Sequence, residues 1–162
     1  MNRGNADIAA VFEEVADLLE LQQADTFRVR AYRNAARTIS HWPEAMADLL
    51  ARGHDLADLP AIGKSLAAKI EEIVTRGSCD QLDRLRELSP PGITDLLHIP
   101  GLGPKRVHTL YHELGIHTPG QLLDAARQGR IRELPGFGVR SERRLAEAAA
   151  GYVERARRWP LA

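Results

Sequence analysis

Apolar residues recur at spacings of three and four along most of the chain. Between residues 6 and 22, Ile8, Val11, Phe12, Val15, Leu18, Leu19 and Leu21 form one broad stripe, which predicts an amphipathic helix with an acidic opposite face. After the turn Gln23-Ala24-Asp25-Thr26, a second helix is predicted over 27–40, ending before Trp42-Pro43, and a third over 44–52, closed by Gly53. A fourth spans 63–75 with Gly77 as its C-terminal cap, and a short fifth spans 79–88. Ser89-Pro90-Pro91-Gly92 is the strongest punctuation in the sequence and places a boundary between residues 1–89 and 90–162. Beyond it, helices are predicted over 93–98, from the following Gly-rich turn to Leu114, over 119–128 with Thr118 as N-cap and Pro119 at the first helical position, and over 141–157. The expected fold class is all-α, two compact helical units with no sheet.

Three of these helices are entered in the same way. LPAIGKSLAAKI at 59–70, IPGLGPKRVHTLY at 99–111 and LPGFGVRSERRLAEA at 134–148 each place a Pro and Gly-rich turn before a helix. A helix opened by such a turn presents unpaired N–H groups and the positive end of its dipole, which suits an anion and asks for no base edge. One such turn is ordinary connection chemistry; three point to sequence-independent contact with a nucleic-acid backbone. Leu-Gly-Ile-His-Thr-Pro-Gly-Gln-Leu links the second and third, so those two are expected to pair about a pseudo-twofold and face one duplex. Their unequal spacing excludes a solenoid. The hairpin positions expected to meet DNA are Gly63, Lys64, Gly101, Gly103, Lys105, Arg106, Gly136, Gly138 and Arg140.

Composition adds helix-favouring Ala, Leu, Glu and Arg, with few aromatic or β-branched residues. The 22 basic and 22 acidic residues cancel, so any attraction to polyanions rests on distribution. Acids dominate residues 5–25, whereas Arg28, Arg30, Arg33 and Arg37 follow with no acid among them, and a second basic surplus runs from Arg127 to Arg158. Mixed-charge solvated helix faces would produce a weaker version of the same pattern.

Other chemistries fare worse. Gly63-Lys64-Ser65 imitates the end of a nucleotide-binding P-loop, but Asp58 occupies the position of its first glycine and no β-rich run precedes it. Cys79 is the sole cysteine, which excludes an intrachain disulfide and a cysteine zinc site. His108 and His112 stand one helical turn apart without a third ligand and read as surface histidines. No leader and no apolar run of spanning length is present, so a cytoplasmic protein without membrane association is expected.

The order of acidic helix, FRVRAYRNAAR at 27–37, LPAIG at 59–63, Lys69 and the paired hairpins at 99–103 and 134–138 resembles the N-terminal region of family X DNA polymerases, particularly the bacterial form, over nearly the whole chain. The resemblance implies a small lyase-type helical domain at 1–89, which would bind the 5′ end of a DNA gap, and a duplex-binding helix-hairpin-helix subdomain at 90–162. The sequence contains neither the paired aspartates of nucleotidyl transfer nor a histidine-rich phosphoesterase segment, so polymerase activity is not expected of it. Lys69 matches the lysine that forms a Schiff base with a ring-opened abasic sugar before β-elimination of 5′-deoxyribose phosphate. On spacing alone it is a snorkelling lysine at the edge of an apolar face. Arg28 and Tyr32 match positions that hold the 5′-phosphate and shape its pocket, and Arg33 belongs to the same basic run. The sequence departs from animal relatives at Ala68, where they carry an acid, at Phe27, where they carry histidine, and at Gln81, where they carry a phosphate-binding lysine that Arg84 could replace.

The resemblance also implies a monovalent cation, Na or K, held by backbone carbonyls and bridging to phosphate. The corresponding residues are Ala57, Leu59 and Ile62, then Leu97, Ile99 and Leu102, then Arg132, Leu134 and Phe137. No other cofactor is required. The expected partner is DNA, preferably gapped or nicked duplex, bound by a monomer that works beside repair proteins. The alternatives are a lyase acting through Lys69 and a helical protein-interaction scaffold that uses the acidic face.

Overall fold

The computed structural model describes residues 4–158, the side chain of Arg158 apart. It is all-α: among the described residues there is no strand. The chain divides into two compact units, residues 1–88 and 89–162.

In the first unit, α1 (Asn5–Leu21) and α2 (Thr26–His41) form the main helix pair. Ile8, Phe12, Val15, Leu18 and Leu19 of α1 are buried against Val29, Tyr32, Ala35, Ala36 and Ile39 of α2, with Phe12 and Tyr32 meeting edge to face at 5.5 Å. Short α3 (Met46–Ala51), a 3₁₀ turn at Leu56–Asp58, α4 (Lys64–Arg76) and α5 (Asp80–Leu88) complete this unit. Helix α3 begins two residues later than the periodicity predicts. The Asn5 carboxamide donates to the Glu44 carbonyl and accepts from the Met46 N–H, which pins Ala45 in extended conformation as the N-cap. Gly77 caps α4 in the left-handed region, as its position after the last apolar residue predicts.

The acidic face of α1 is turned to internal use. Glu13, Asp17 and Glu20 all accept from the Arg33 guanidinium, at 2.8, 2.9 and 3.1 Å. Glu14 holds Arg86 of α5 in a two-pronged ion pair, Asp7 accepts from the Gly4 N–H, and Asp25 caps α2 by accepting from Phe27 N–H. The surplus of negative charge seen in the sequence is therefore tied to α2, α5 and two helix starts.

The second unit comprises α6 (Ile93–Leu97), α7 (Pro104–Leu114), α8 (Pro119–Arg127) and α9 (Val139–Arg158). Thr118 caps α8 by accepting from the Gln121 N–H, with Pro119 at the first helical position. Gly115 closes α7 at φ 69°, with the Ile116 N–H reaching back to the Leu110 carbonyl. Gly92 is held at φ 85°, and a β-carbon there would lie 2.8 Å from Thr118 Cγ2 and 2.9 Å from the His117 carbonyl. The Tyr152 hydroxyl donates to Asp95 at 2.6 Å, fastening α9 to α6. Helix α9 starts two residues earlier than its apolar pattern predicts, because the first turn is set by Gly138, whose carbonyl accepts from the Glu142 N–H.

Candidate nucleic-acid interface

The three hairpins share one backbone construction. In each, a four-residue turn with Pro second is closed by a hydrogen bond from the fourth N–H to the first carbonyl: Ile62 to Leu59, Leu102 to Ile99 and Phe137 to Leu134, all at 3.1 Å. The third residue takes positive φ, at 65° for Ala61, 92° for Gly101 and 83° for Gly136. Proline second and a left-handed third residue are the signature of a type II turn. Ile62, Ile99 and Leu102 are buried, so the ends of the first two turns are anchored in the core while their corners stay exposed. Hairpin 1 departs from the glycine rule: alanine holds the left-handed corner, an uncommon and strained choice.

The second glycine of each hairpin behaves differently. Gly63 and Gly103 are the N-caps of α4 and α7, with φ of −87° and −99°. Gly63, Gly103 and Gly138 accept the first helical hydrogen bond from Ala67, Val107 and Glu142. A β-carbon at any of the three would meet nothing within 4 Å. The fold itself thus has no need for glycine at these places. What the missing side chain leaves is an uncovered row of amide groups at a helix start.

Exposed cations flank these starts. Lys64, Lys105 and Arg140 stand in the first turns of α4, α7 and α9, and Arg28 in the first turn of α2; all are exposed and none forms an ion pair with a described residue. Arg33 is placed differently from these cations. Its guanidinium is half-buried among the three carboxylates of α1, which accept its hydrogen bonds.

Arg106 is also engaged. It donates to the Gly101 carbonyl at 3.1 Å and to the Gly136 carbonyl at 3.2 Å, and lies 5.2 Å from the centre of the Phe137 ring. Hairpins 2 and 3 therefore meet across a single side chain. Hairpin 3 has a second support that the sequence reading missed. Glu142, 3% exposed, accepts from the backbone N–H groups of Ile131 and Arg132 and from two nitrogens of the Arg132 guanidinium. Burial works against ionisation of Glu142, but the Arg132 guanidinium and the two backbone amides outweigh it and hold the carboxyl below its usual range. The available signal was an acid four residues after the hairpin glycine, inside an otherwise basic segment.

The residues associated with lyase chemistry lie on α2, α4 and α5. Lys69 is half-buried and its amine donates to the Ser65 hydroxyl at 3.0 Å, one turn back. Burial pushes the Cys79 thiol up, against the Leu82 N–H and the Lys69 ammonium. Burial likewise pushes the Tyr32 phenol up, opposed by Arg28 and reinforced by Cys79. Tyr32 is only 4% exposed, packed on Phe12 as a core residue. Gln81 is half-buried, whereas Arg84 is exposed and without an ion pair to a described residue.

The carbonyls expected to ligate a cation repeat at identical spacing in all three hairpins. Leu59, Ile99 and Leu134 each give one lone pair to the turn-closing N–H, and a carbonyl oxygen retains a second. Among the described residues no cluster of His, Cys, Asp or Glu could hold a metal ion.

Both units match known sequence families. Residues 3–79 match the family described as "Helix-hairpin-helix domain", and residues 93–150 the family described as "SAM-like Helix-hairpin-helix tandem". Each unit thus carries its own helix-hairpin-helix match. It is 32% identical over 155 residues to the DNA polymerase/3'-5' exonuclease PolX of Bacillus subtilis (strain 168), an alignment that covers 96% of this chain and 26% of that polymerase. The resemblance to the N-terminal region of bacterial family X polymerases therefore holds along nearly the full helix-hairpin-helix chain, which spans about a quarter of the length of that relative. No helix among the described residues is long and apolar enough to cross a membrane.

Proposed function

We propose that this helix-hairpin-helix chain binds DNA through the sugar-phosphate backbone, as a module for gapped or nicked duplexes in repair. The observation that carries the reading is the uncovered helix start behind Gly63, Gly103 and Gly138, repeated three times where the fold would accept a side chain. Phosphate oxygens accept from those amides, the helix dipoles favour their charge, and Lys64, Lys105 and Arg140 add neutralising cations. In this reading the first unit takes the 5′-phosphate side of a gap through Arg28 and Lys64, and the second follows intact duplex. The hairpin carbonyls of Leu59, Ile99 and Leu134 would hold Na or K, which would supply positive charge attractive to phosphate. The helix-hairpin-helix matches of both units and the likeness to a DNA polymerase support DNA as the ligand.

Fluorescence anisotropy with gapped, nicked and intact duplexes tests this directly. The expected result is tighter binding to the gapped substrate and a log K that falls with log salt by about 0.9 per phosphate neutralised. Binding that ignores ionic strength, or none at low salt, defeats it.

A second reading is favoured by the half-buried Lys69 amine, held by the Ser65 hydroxyl on α4: Lys69 acts as the nucleophile of a 5′-deoxyribose-phosphate lyase. The amine attacks C1′ of the ring-opened sugar and water leaves as the imine forms. Loss of a C2′ proton then expels the phosphate from C3′, and hydrolysis returns the lysine. Borohydride should trap a covalent adduct on 5′-incised abasic DNA, and Lys69→Ala should abolish it; an adduct that survives the substitution removes Lys69 from the role. The scaffold alternative loses its motive, since the acids of α1 are already engaged by Arg33, Arg86 and local amides.

A further inference from the structure

Arg106 stands in the first turn of α7, at the positive end of the helix dipole, where a cation is disfavoured. Three groups offset that: the carbonyls of Gly101 and Gly136, and the face of Phe137. Gly101 and Gly136 are equivalent residues, the left-handed corners of hairpins 2 and 3. A planar guanidinium can donate in two directions while stacking on a ring, which a lysine ammonium cannot reproduce. The corresponding positions, three residues beyond the N-terminal glycine, are Leu66 in hairpin 1 and Ser141 in hairpin 3. The bridging chemistry therefore occurs once, in the unit that has two hairpins to join.

We propose that Arg106 is a positioning residue, a clamp that fixes the separation of hairpins 2 and 3 so that their helix starts meet phosphates of one duplex together. This rests on the DNA-binding reading, but it removes Arg106 from the phosphate contacts that the sequence assigned to it. Its contribution is preorganisation of two sites rather than charge offered to DNA.

The test compares Arg106→Lys and Arg106→Ala with wild type, using the whole chain and a fluorescein-labelled duplex. Both variants should weaken binding by roughly tenfold, the scale of losing preorganisation at a two-site interface. Their plots of log K against log salt should stay parallel to wild type, whereas Lys105→Ala should make the slope shallower by about 0.9. Wild-type affinity in Arg106→Lys, or a slope in Arg106→Ala reduced like that of Lys105→Ala, overturns the clamp. Arg106→Lys carries the test by itself if Arg106→Ala does not fold. Hydrogen exchange separates this proposal from the one beneath it: the turn-closing amides of Leu102 and Phe137 should exchange faster in both variants, with no DNA present. Unchanged exchange overturns the clamp, whereas failure of wild type to bind any DNA overturns only the DNA reading.

Discussion

Two classes of turn residue do different work in the hairpins, and substitution should separate them. Ala61 holds φ 65° where the other two hairpins have glycine. A left-handed alanine costs about 1–2 kcal/mol, and a glycine returns about 0.4–1 kcal/mol through the looser unfolded chain, so Ala61→Gly should stabilise the first unit by up to about 1 kcal/mol in chemical denaturation. Gly138 is a contrasting case, since it has room for a side chain and no positive φ. Gly138→Ala should stay within about 0.5 kcal/mol of wild-type stability while weakening DNA binding, because its methyl group covers the amides to which the proposed function assigns phosphate. Gly92→Ala should instead cost about 2–3 kcal/mol, from positive φ and a close approach to the His117 carbonyl.

Elements of the second unit are fastened by the Glu142 carboxyl and the Tyr152 phenol, whose titrations bound its stability on opposite sides of neutrality. Glu142 joins α9 to the chain before hairpin 3, and its carboxyl is depressed in the folded state. Its contribution is complete above the ordinary carboxylate range and is lost as pH falls through the lower folded value. At the alkaline end, burial and the Asp95 carboxylate push the Tyr152 phenol from 10.0 up to about 12. A raised value means stability present below the unfolded value and lost as pH rises towards the folded one. Thermal melts should therefore show Glu142→Ala flattening the acid limb and Tyr152→Phe flattening the limb above about pH 10. An unchanged pH profile in either variant would show that the bond in question contributes no proton linkage.

For the molecule as a whole, each unit has its own buried core, which predicts separable unfolding. Phe12 is fully buried between α1 and α2, and Phe12→Ala should cost the first unit about 3–5 kcal/mol. Hydrogen exchange of the Leu102 and Phe137 amides in the second unit should stay at wild-type protection in that variant. Loss of protection in both units together would show a single cooperative molecule. The same separability allows the proposed gap-end and duplex contacts to be assayed on one chain by substitutions confined to one unit.

The sequence by itself determined the helices, the caps at Thr118 and Gly77, and the triple recurrence of a Pro-Gly turn before a helix. These are local: spacing of apolar residues, proline geometry and glycine placement act within a few residues of where they are written. Tertiary structure decided which charges remain available. Arg33 and Lys64 look equally free in the sequence, yet α1 brings three carboxylates to the first and none to the second. Arg106 likewise reads as a phosphate ligand until hairpin 3, thirty residues on, delivers the Gly136 carbonyl to it. Partners distant along the chain leave no periodic trace, so only packing of one helix against another settles which cations are held inside and which face outward.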